Sequence, residues 1–323
     1  MADPSHRSAF FKILNLSSNP TSSSDISDNL KRLRRLVLTR GIPEDSEDED
    51  GISIRARVWK LLLRIDRISA EDYLRWVDMG PSEMSAKIKN DTFRTLATDL
   101  TFKGKVREDM LIRLLEAFAW KNSHGQALQE YSGLPSNAYS EKKEKGRLEF
   151  AYVQGMNVLS APFLYTLPSE IEAFACFSKF IETCCPLYVQ PTLTGVHRGL
   201  ELLDKCLQAV DVELYDHLRN KNLSAELYAF PSVLTLCACT PPLDQVLKLW
   251  DFLLAFGVHL NILCVIAQLL IMRDDLMASS SPMKILRIFP PLQASNVISI
   301  TVALVKDVPE DLYGELVKHP YCA

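Results

Sequence analysis

The sequence predicts an all-α fold, and three observations carry the prediction. Glycine supplies only 12 of the 323 residues, against a typical share of about 7%, which leaves little for the tight turns of a β-rich fold or for repeated glycine-rich phosphate loops. No two-residue alternation is sustained long enough for a half-buried strand; apolar residues recur instead at three- and four-residue spacing. Hydrophobic side chains make up 47% and charged ones 24%, so the chain has enough apolar material for one large core or two smaller ones and is not mainly disordered.

Residues 1–30, rich in serine and asparagine, read as a flexible extension with one short apolar piece at 10–16. A helical pattern begins at Leu30 and breaks at Gly41-Ile42-Pro43. Six acidic residues then fall in the seven of 44–50, a solvated loop or an acidic docking element for a basic partner, close to Arg55 and Arg57. Span 54–65 places Val58, Leu61, Leu62 and Ile65 on one helical face, and 110–120 does the same with Leu111, Leu114, Leu115 and Phe118. Residues 121–147, with Gly125, Gly133, Pro135, Gly146 and a mixed-charge EKKEKGR run, read as a long loop, a length uncommon in a compact domain unless functional or disordered. Apolar helices follow at 153–167, 169–184, 196–218, 243–256 and 260–277, punctuated by prolines. No repeat of 20–50 residues is visible, which disfavours a regular solenoid.

A net charge of -4, from 36 Lys+Arg against 40 Asp+Glu, gives no basic excess that would draw the whole chain to nucleic acid or a membrane surface. Met1 to Pro20 lacks the apolar core and small-residue cleavage site of a secretory signal. No run reaches the ~20 apolar residues of a membrane span; the richest, 262–272, reads as a buried helix. The eight cysteines lack paired CxxC spacing and are expected as reduced core thiols of a cytosolic or nuclear protein, with no metal site. GxSxG, HExxH and GxxxxGK[ST] are all absent, and the six histidines are scattered, so no enzyme with its own small-molecule pocket is indicated.

Two polar constellations stand out. In Ile88-x-x-Asp91-x-x-Arg94-Thr95 the first three residues recur every third position and, if helical, share a face on which Asp91 can hold the Arg94 guanidinium. Alone, such a pair is most simply a surface salt bridge. In Tyr152-x-Gln154-Gly155-Met156-Asn157, glycine permits a close backbone approach and the glutamine projects from a loop–helix junction. Alone, this is most simply a helix N-terminal turn.

Together, and in this order, the two constellations resemble the signature motifs of the TBC domain, the Rab-type GTPase-activating domain. Gly41-Ile42-Pro43, Arg55-x-x-x-Trp59 and Leu249-Trp250-Asp251 with Gly257 are similar to its accompanying landmarks, so the resemblance runs over roughly 35–275. The segment from Leu227 through Phe230-Pro231-Ser232 to Trp250-Asp251 further resembles the family's fungal mitotic-checkpoint branch, whose members sit at the spindle pole body and restrain mitotic exit or septation.

The resemblance implies a V-shaped, two-lobed helical domain at 35–275, a partly flexible N-terminal extension at 1–34 and a C-terminal helical extension at 276–323. It implies an arginine finger at Arg94 and a water-orienting glutamine at Gln154, both supplied in trans to a Ras-like small GTPase that carries the GTP and Mg2+; the chain needs no cofactor of its own. Asp91 then steers Arg94, Tyr152 and Asn157 brace the glutamine loop around Gly155, and Arg55, Trp59, Trp250 and Asp251 are structural landmarks. A scaffold partner forming a two-component activator, no nucleic acid, no membrane insertion, and a cytoplasmic, cytoskeletal location at the spindle pole body are implied as well. The sequence departs from the family pattern at the acidic insert 44–50, at Leu96-Ala97 where Phe-Pro is usual, and at Phe230-Pro231-Ser232 where an aromatic pair is common. These departures bear on which GTPase is recognised. The competing readings are an activator of a membrane-traffic Rab and a catalytically silent GTPase- or scaffold-binding module.

Overall fold

A computed structural model of the chain describes residues 4–18, 23–43, 53–65, 67–131 and 150–322. Every regular element among the described residues is helical. The first three helices are α1 (Pro4–Ser18), α2 (Ser23–Arg40) and α3 (Ile54–Leu62). Next come α4 (Ala70–Asp78), α5 (Ser85–Thr92), α6 (Leu100–Lys105), α7 (Glu108–Tyr131), α8 (Met156–Thr166) and α9 (Glu170–Cys184).

The second half contains α10 (Thr194–Val210), α11 (Val212–Asn220), α12 (Ala225–Tyr228), α13 (Phe230–Leu234) and α14 (Leu243–Phe256). It closes with α15 (Asn261–Ile271), α16 (Arg273–Ala278), α17 (Met283–Leu286), α18 (Ala294–Leu304) and α19 (Glu310–Lys318).

Two lobes result. In the first, α7 packs against α4, α5, α8 and α9; in the second, α15 and α10 form the centre, with α18 on α15 and α11, α12, α13 and α19 on α10. Helix α3 meets α14 between them. There Trp59, Phe163, Phe180 and Trp250 form a continuous aromatic cluster, with ring centroids 5.3–6.1 Å apart. Offset and edge-to-face rings at such separations add about 0.5–1.5 kcal/mol per pair beyond area burial, so the lobes share one core. The apolar run expected as a buried helix is α15, in which Ile262, Leu263, Cys264, Val265, Ile266 and Ala267 are all 0% exposed. Among the described residues no helix is long and apolar enough to cross a membrane.

Short polar residues set the helix starts. Ser69 accepts from the Asp72 amide at 3.1 Å and Ser169 from that of Glu172 at 3.2 Å, capping α4 and α9, with acidic side chains in each first turn favouring the helix dipole. Asp211 accepts from the Leu214 amide at 3.0 Å. That cap divides the single helix expected at 196–218 into α10 and α11.

Two expected irregular segments are ordered differently. The serine-rich N-terminus, expected as flexible, forms α1 and the start of α2. Phe10, Ile13 and Leu14, at helical spacing, are buried against α2 and α3, and His6 Nε2 lies 3.0 Å from the Gly41 carbonyl oxygen. Burial of that stripe outweighs the weak helix preference of serine and asparagine. The loop expected from 121 begins instead as a continuation of α7 to Tyr131; one glycine, Gly125, costs a helix only about 1 kcal/mol, and Ala127, Leu128, Gln129 and Glu130 are good helix formers. The rest of that segment, 132–147, and the acidic run 44–50 lie outside the described residues.

Candidate functional site

The site forms where the end of α5 meets the start of α8. Helix α5 buries Ile88 completely and ends at Thr92. A turn follows, closed by Thr95 N–H donating to the Thr92 carbonyl at 3.1 Å. Arg94 therefore sits in the turn and not on a helical face shared with Ile88 and Asp91, a correction to the expected geometry: the helix stops before the third repeat. The Asp91–Arg94 pair forms all the same. Arg94 Nη2 donates to Asp91 Oδ1, and the arginine side chain is 54% exposed while that of Asp91 is 9% exposed.

Asp91 is the node of a buried network. Its Oδ2 accepts from the Tyr152 hydroxyl at 2.9 Å, and its backbone carbonyl accepts from Thr95 Oγ1 at 3.1 Å and from Asn157 Nδ2 at 3.3 Å. Asn157 Nδ2 also donates to Thr95 Oγ1 at 2.8 Å, and Asn157 Oδ1 accepts from the Gly155 amide at 3.2 Å. A carboxylate this far from water is costly unless each oxygen is engaged, and here both are. Burial, then the hydrogen bond to Asp91, hold the Tyr152 phenol well above its ordinary pKa, so it remains a neutral donor.

Gln154 lies between these braces. Tyr152 and Asn157 are buried on either side, whereas Gln154 is exposed and its amide makes no hydrogen bond among the described residues. The chain turns at Gly155, whose φ of +102° is rarely open to other residues, and a Cβ there would come 2.9 Å from Leu234 Cδ2. Glycine is thus favoured by its conformation, and a larger residue would also have to displace the Leu234 side chain of the second lobe.

The landmarks assemble separately, in the joint between lobes. Asp251 is 2% exposed; its two oxygens each receive Arg55 Nε at 3.1 Å, and Oδ1 also receives Trp59 Nε1 at 2.7 Å. Burial pushes the Asp251 carboxyl up to about 6, against the lowering pull of Arg55 and Trp59. Trp250 Nε1 donates to the Leu236 carbonyl at 3.0 Å. These four residues fix the joint and leave nothing exposed for chemistry.

Asp91, Arg94, Tyr152, Gln154, Gly155 and Asn157 thus form one cluster that reaches the surface at Arg94 and Gln154, and Arg55, Trp59, Trp250 and Asp251 form another in the core. Two participants were missed. Thr95 connects Asn157 to Asp91, and its place next to Arg94 in the motif was its only signal. Leu234, against Gly155, is remote in sequence and carried none. Among the described residues no three His, Cys, Asp or Glu side chains are grouped to hold a metal, and the cysteines are free thiols, of which Cys239 and Cys322 are exposed and not in the core as expected.

Comparison with known proteins gives a consistent set of similarities. The Rab-GTPase-TBC domain family matches residues 52–277. The chain is 44% identical over 302 residues to "Cell division control protein 16" of Schizosaccharomyces pombe, covering 94% of this chain and 92% of that protein. It is 40% identical over 294 residues to "Mitotic check point protein BUB2" of Saccharomyces cerevisiae, covering 90% and 92% respectively. Among solved structures, the Ypt/Rab-GAP domain of Gyp1p superposes with a TM-score of 0.61 at 16% identity, covering 93% of this chain and 98% of that one; at that identity the likeness concerns the fold.

Proposed function

The chain belongs to the Rab-GTPase-TBC domain family, and from that premise we propose that it accelerates GTP hydrolysis by a Ras-like small GTPase, supplying Arg94 as an arginine finger and Gln154 as the group that orients the attacking water. The observation that carries this reading is the Asp91–Tyr152–Asn157 network: it ties the two segments together from beneath while both side chains stay exposed.

Intrinsic hydrolysis is slow because charge developing on the phosphate oxygens is poorly neutralised and the water is poorly held. GTP and Mg2+ belong to the partner. Arg94, tethered by one Nη to Asp91, has the remainder of its planar fork turned to solvent and can donate to the oxygens on which charge accumulates. The tether limits the conformations the guanidinium must give up on docking, so less entropy is lost at the moment of contact. Gln154, held by the turn at Gly155, presents an amide whose oxygen can accept from the water and whose nitrogen can donate.

The similarity to a cell division control protein and a mitotic checkpoint protein supports a role as a negative regulator of mitotic exit or septation, at the spindle pole body and with a scaffold partner that presents the chain to its GTPase. A panel of Ras-like GTPases, each loaded with GTP and followed through a single turnover with and without the chain and such a scaffold, tests the reading. At least one is expected to be accelerated roughly 10³-fold or more. Tight binding without acceleration of any of them would make the chain a binding module instead.

A further inference from the structure

A second polar cleft, sharing no residue with the Asp91 network, opens in the first lobe among the segment after α3, α4, the middle of α7 and α9. Its volume is about 720 Å³. Arg64, Arg67, Lys121 and Lys179 line it, with Asp72 and Glu182 as the acidic groups among the described lining residues. Both acids are engaged, Glu182 by Lys121 and Asp72 by Arg75 at 3.5 Å. Arg64, Arg67 and Lys179 form no ion pair among the described residues, so three cations with no acidic partner among those residues line one space. Ser178, also in the lining, is 3% exposed and its buried hydroxyl has no hydrogen-bond partner among the described residues, so its donor is not committed within the fold.

The backbone at Arg64 is the third observation. Helix α3 ends with Arg64 N–H donating to the Leu61 carbonyl at 3.1 Å and Ile65 N–H to that of Lys60 at 3.0 Å, the paired bonds of a Schellman terminus. Arg64 holds the left-handed position at φ +54°, where glycine is the residue that costs least. An arginine there gives up conformational ease and places a guanidinium at the edge of the cleft. Uncommon backbone states of this kind concentrate at ligand sites.

Three cations, two of them arginines with planar donor forks, and a buried hydroxyl suit an anion with several acceptor oxygens, as in phosphate. The cleft is far larger than one phosphate, and its remaining wall is apolar, formed by Ile171, Phe174 and Trp76. We propose that this cleft binds a phosphorylated segment of a partner protein, with the phosphate on Arg64, Arg67 and Lys179 and a neighbouring apolar side chain on Phe174 and Trp76.

The probe is a synthetic peptide library with phosphoserine fixed at its centre and all other positions varied, offered to the immobilised full-length chain beside twin libraries carrying serine or glutamate there. The phosphorylated library is expected to be retained about tenfold or more over either twin, with apolar residues enriched next to the phosphoserine. Arg64→Gly should abolish that preference while its thermal midpoint stays at or above that of the unsubstituted chain, since glycine relieves the backbone; Arg64→Gly/Arg67→Ala/Lys179→Ala should retain nothing above background. Equal retention of the serine or glutamate library, or undiminished retention by the triple variant, would overturn the proposal.

Discussion

Arg94→Ala is expected to cut the acceleration of GTP hydrolysis by roughly 10³- to 10⁵-fold, about 4–7 kcal/mol of barrier, while leaving the chain folded. The separation follows from where the side chain sits. Its side chain is 54% exposed and, among the described residues, bonded only to Asp91, so truncation removes a half-exposed pair and opens Asp91 Oδ1 to water, a cost well under the catalytic term. Arg94→Lys should recover little of the rate, because one ammonium cannot satisfy Asp91 and reach two phosphate oxygens as a planar fork can. Single-turnover hydrolysis gives the rate and circular dichroism the fold; unchanged acceleration by the alanine variant would remove Arg94 from the mechanism.

Asp251→Ala should lower stability by about 3–5 kcal/mol, the usual result of leaving one partner of a buried ion pair alone. The Arg55 side chain is only 14% exposed and Trp59 not exposed at all, so without Asp251 both a guanidinium and an indole N–H lose their acceptor away from water. Since domains are stable by only about 5–15 kcal/mol, this one change consumes a large part of the total. Arg75→Ala is the contrast: Arg75 and Asp72 pair at 3.5 Å with side chains 57% and 59% exposed, and its loss should cost less than about 1 kcal/mol. Urea midpoints of the two variants measure both. A loss at Asp251 no greater than at Arg75 would mean that the joint between the lobes does not depend on this pair.

The helices of the core were legible because burial imposes a period: the stripes Val58-Leu61-Leu62 and Leu111-Leu114-Leu115-Phe118 announce α3 and α7. The N-terminus misled because serine and asparagine suggest mobility when taken residue by residue, whereas Phe10, Ile13 and Leu14 decide the outcome through tertiary contact. Helix α7 outruns its expected end because grouping Gly125 with Gly133, Pro135, Gly146 and the charged run places the break too early, whereas Gly125 alone does not prevent a helix from continuing. At the site, residue types and order pointed to Asp91, Tyr152 and Asn157, and the structure joins these three in one polar network. Thr95 and Leu234 could not be assigned in advance, since their roles exist only once α5, α8 and α13 meet. The termination of α5 at Thr92 was likewise invisible to a pattern that repeats every three residues across it.

The two-finger mechanism has this chain bring both the arginine and the glutamine. Its most direct test is single-turnover hydrolysis by a partner GTPase whose own water-orienting glutamine has been replaced by leucine, assayed with the unsubstituted chain and with Gln154→Ala. If Gln154 serves in trans, the unsubstituted chain still accelerates the altered GTPase by roughly 10³-fold or more and Gln154→Ala does not. If the altered GTPase is not accelerated by the unsubstituted chain although the natural GTPase is, the glutamine is the GTPase's own and Gln154 has no part in the mechanism.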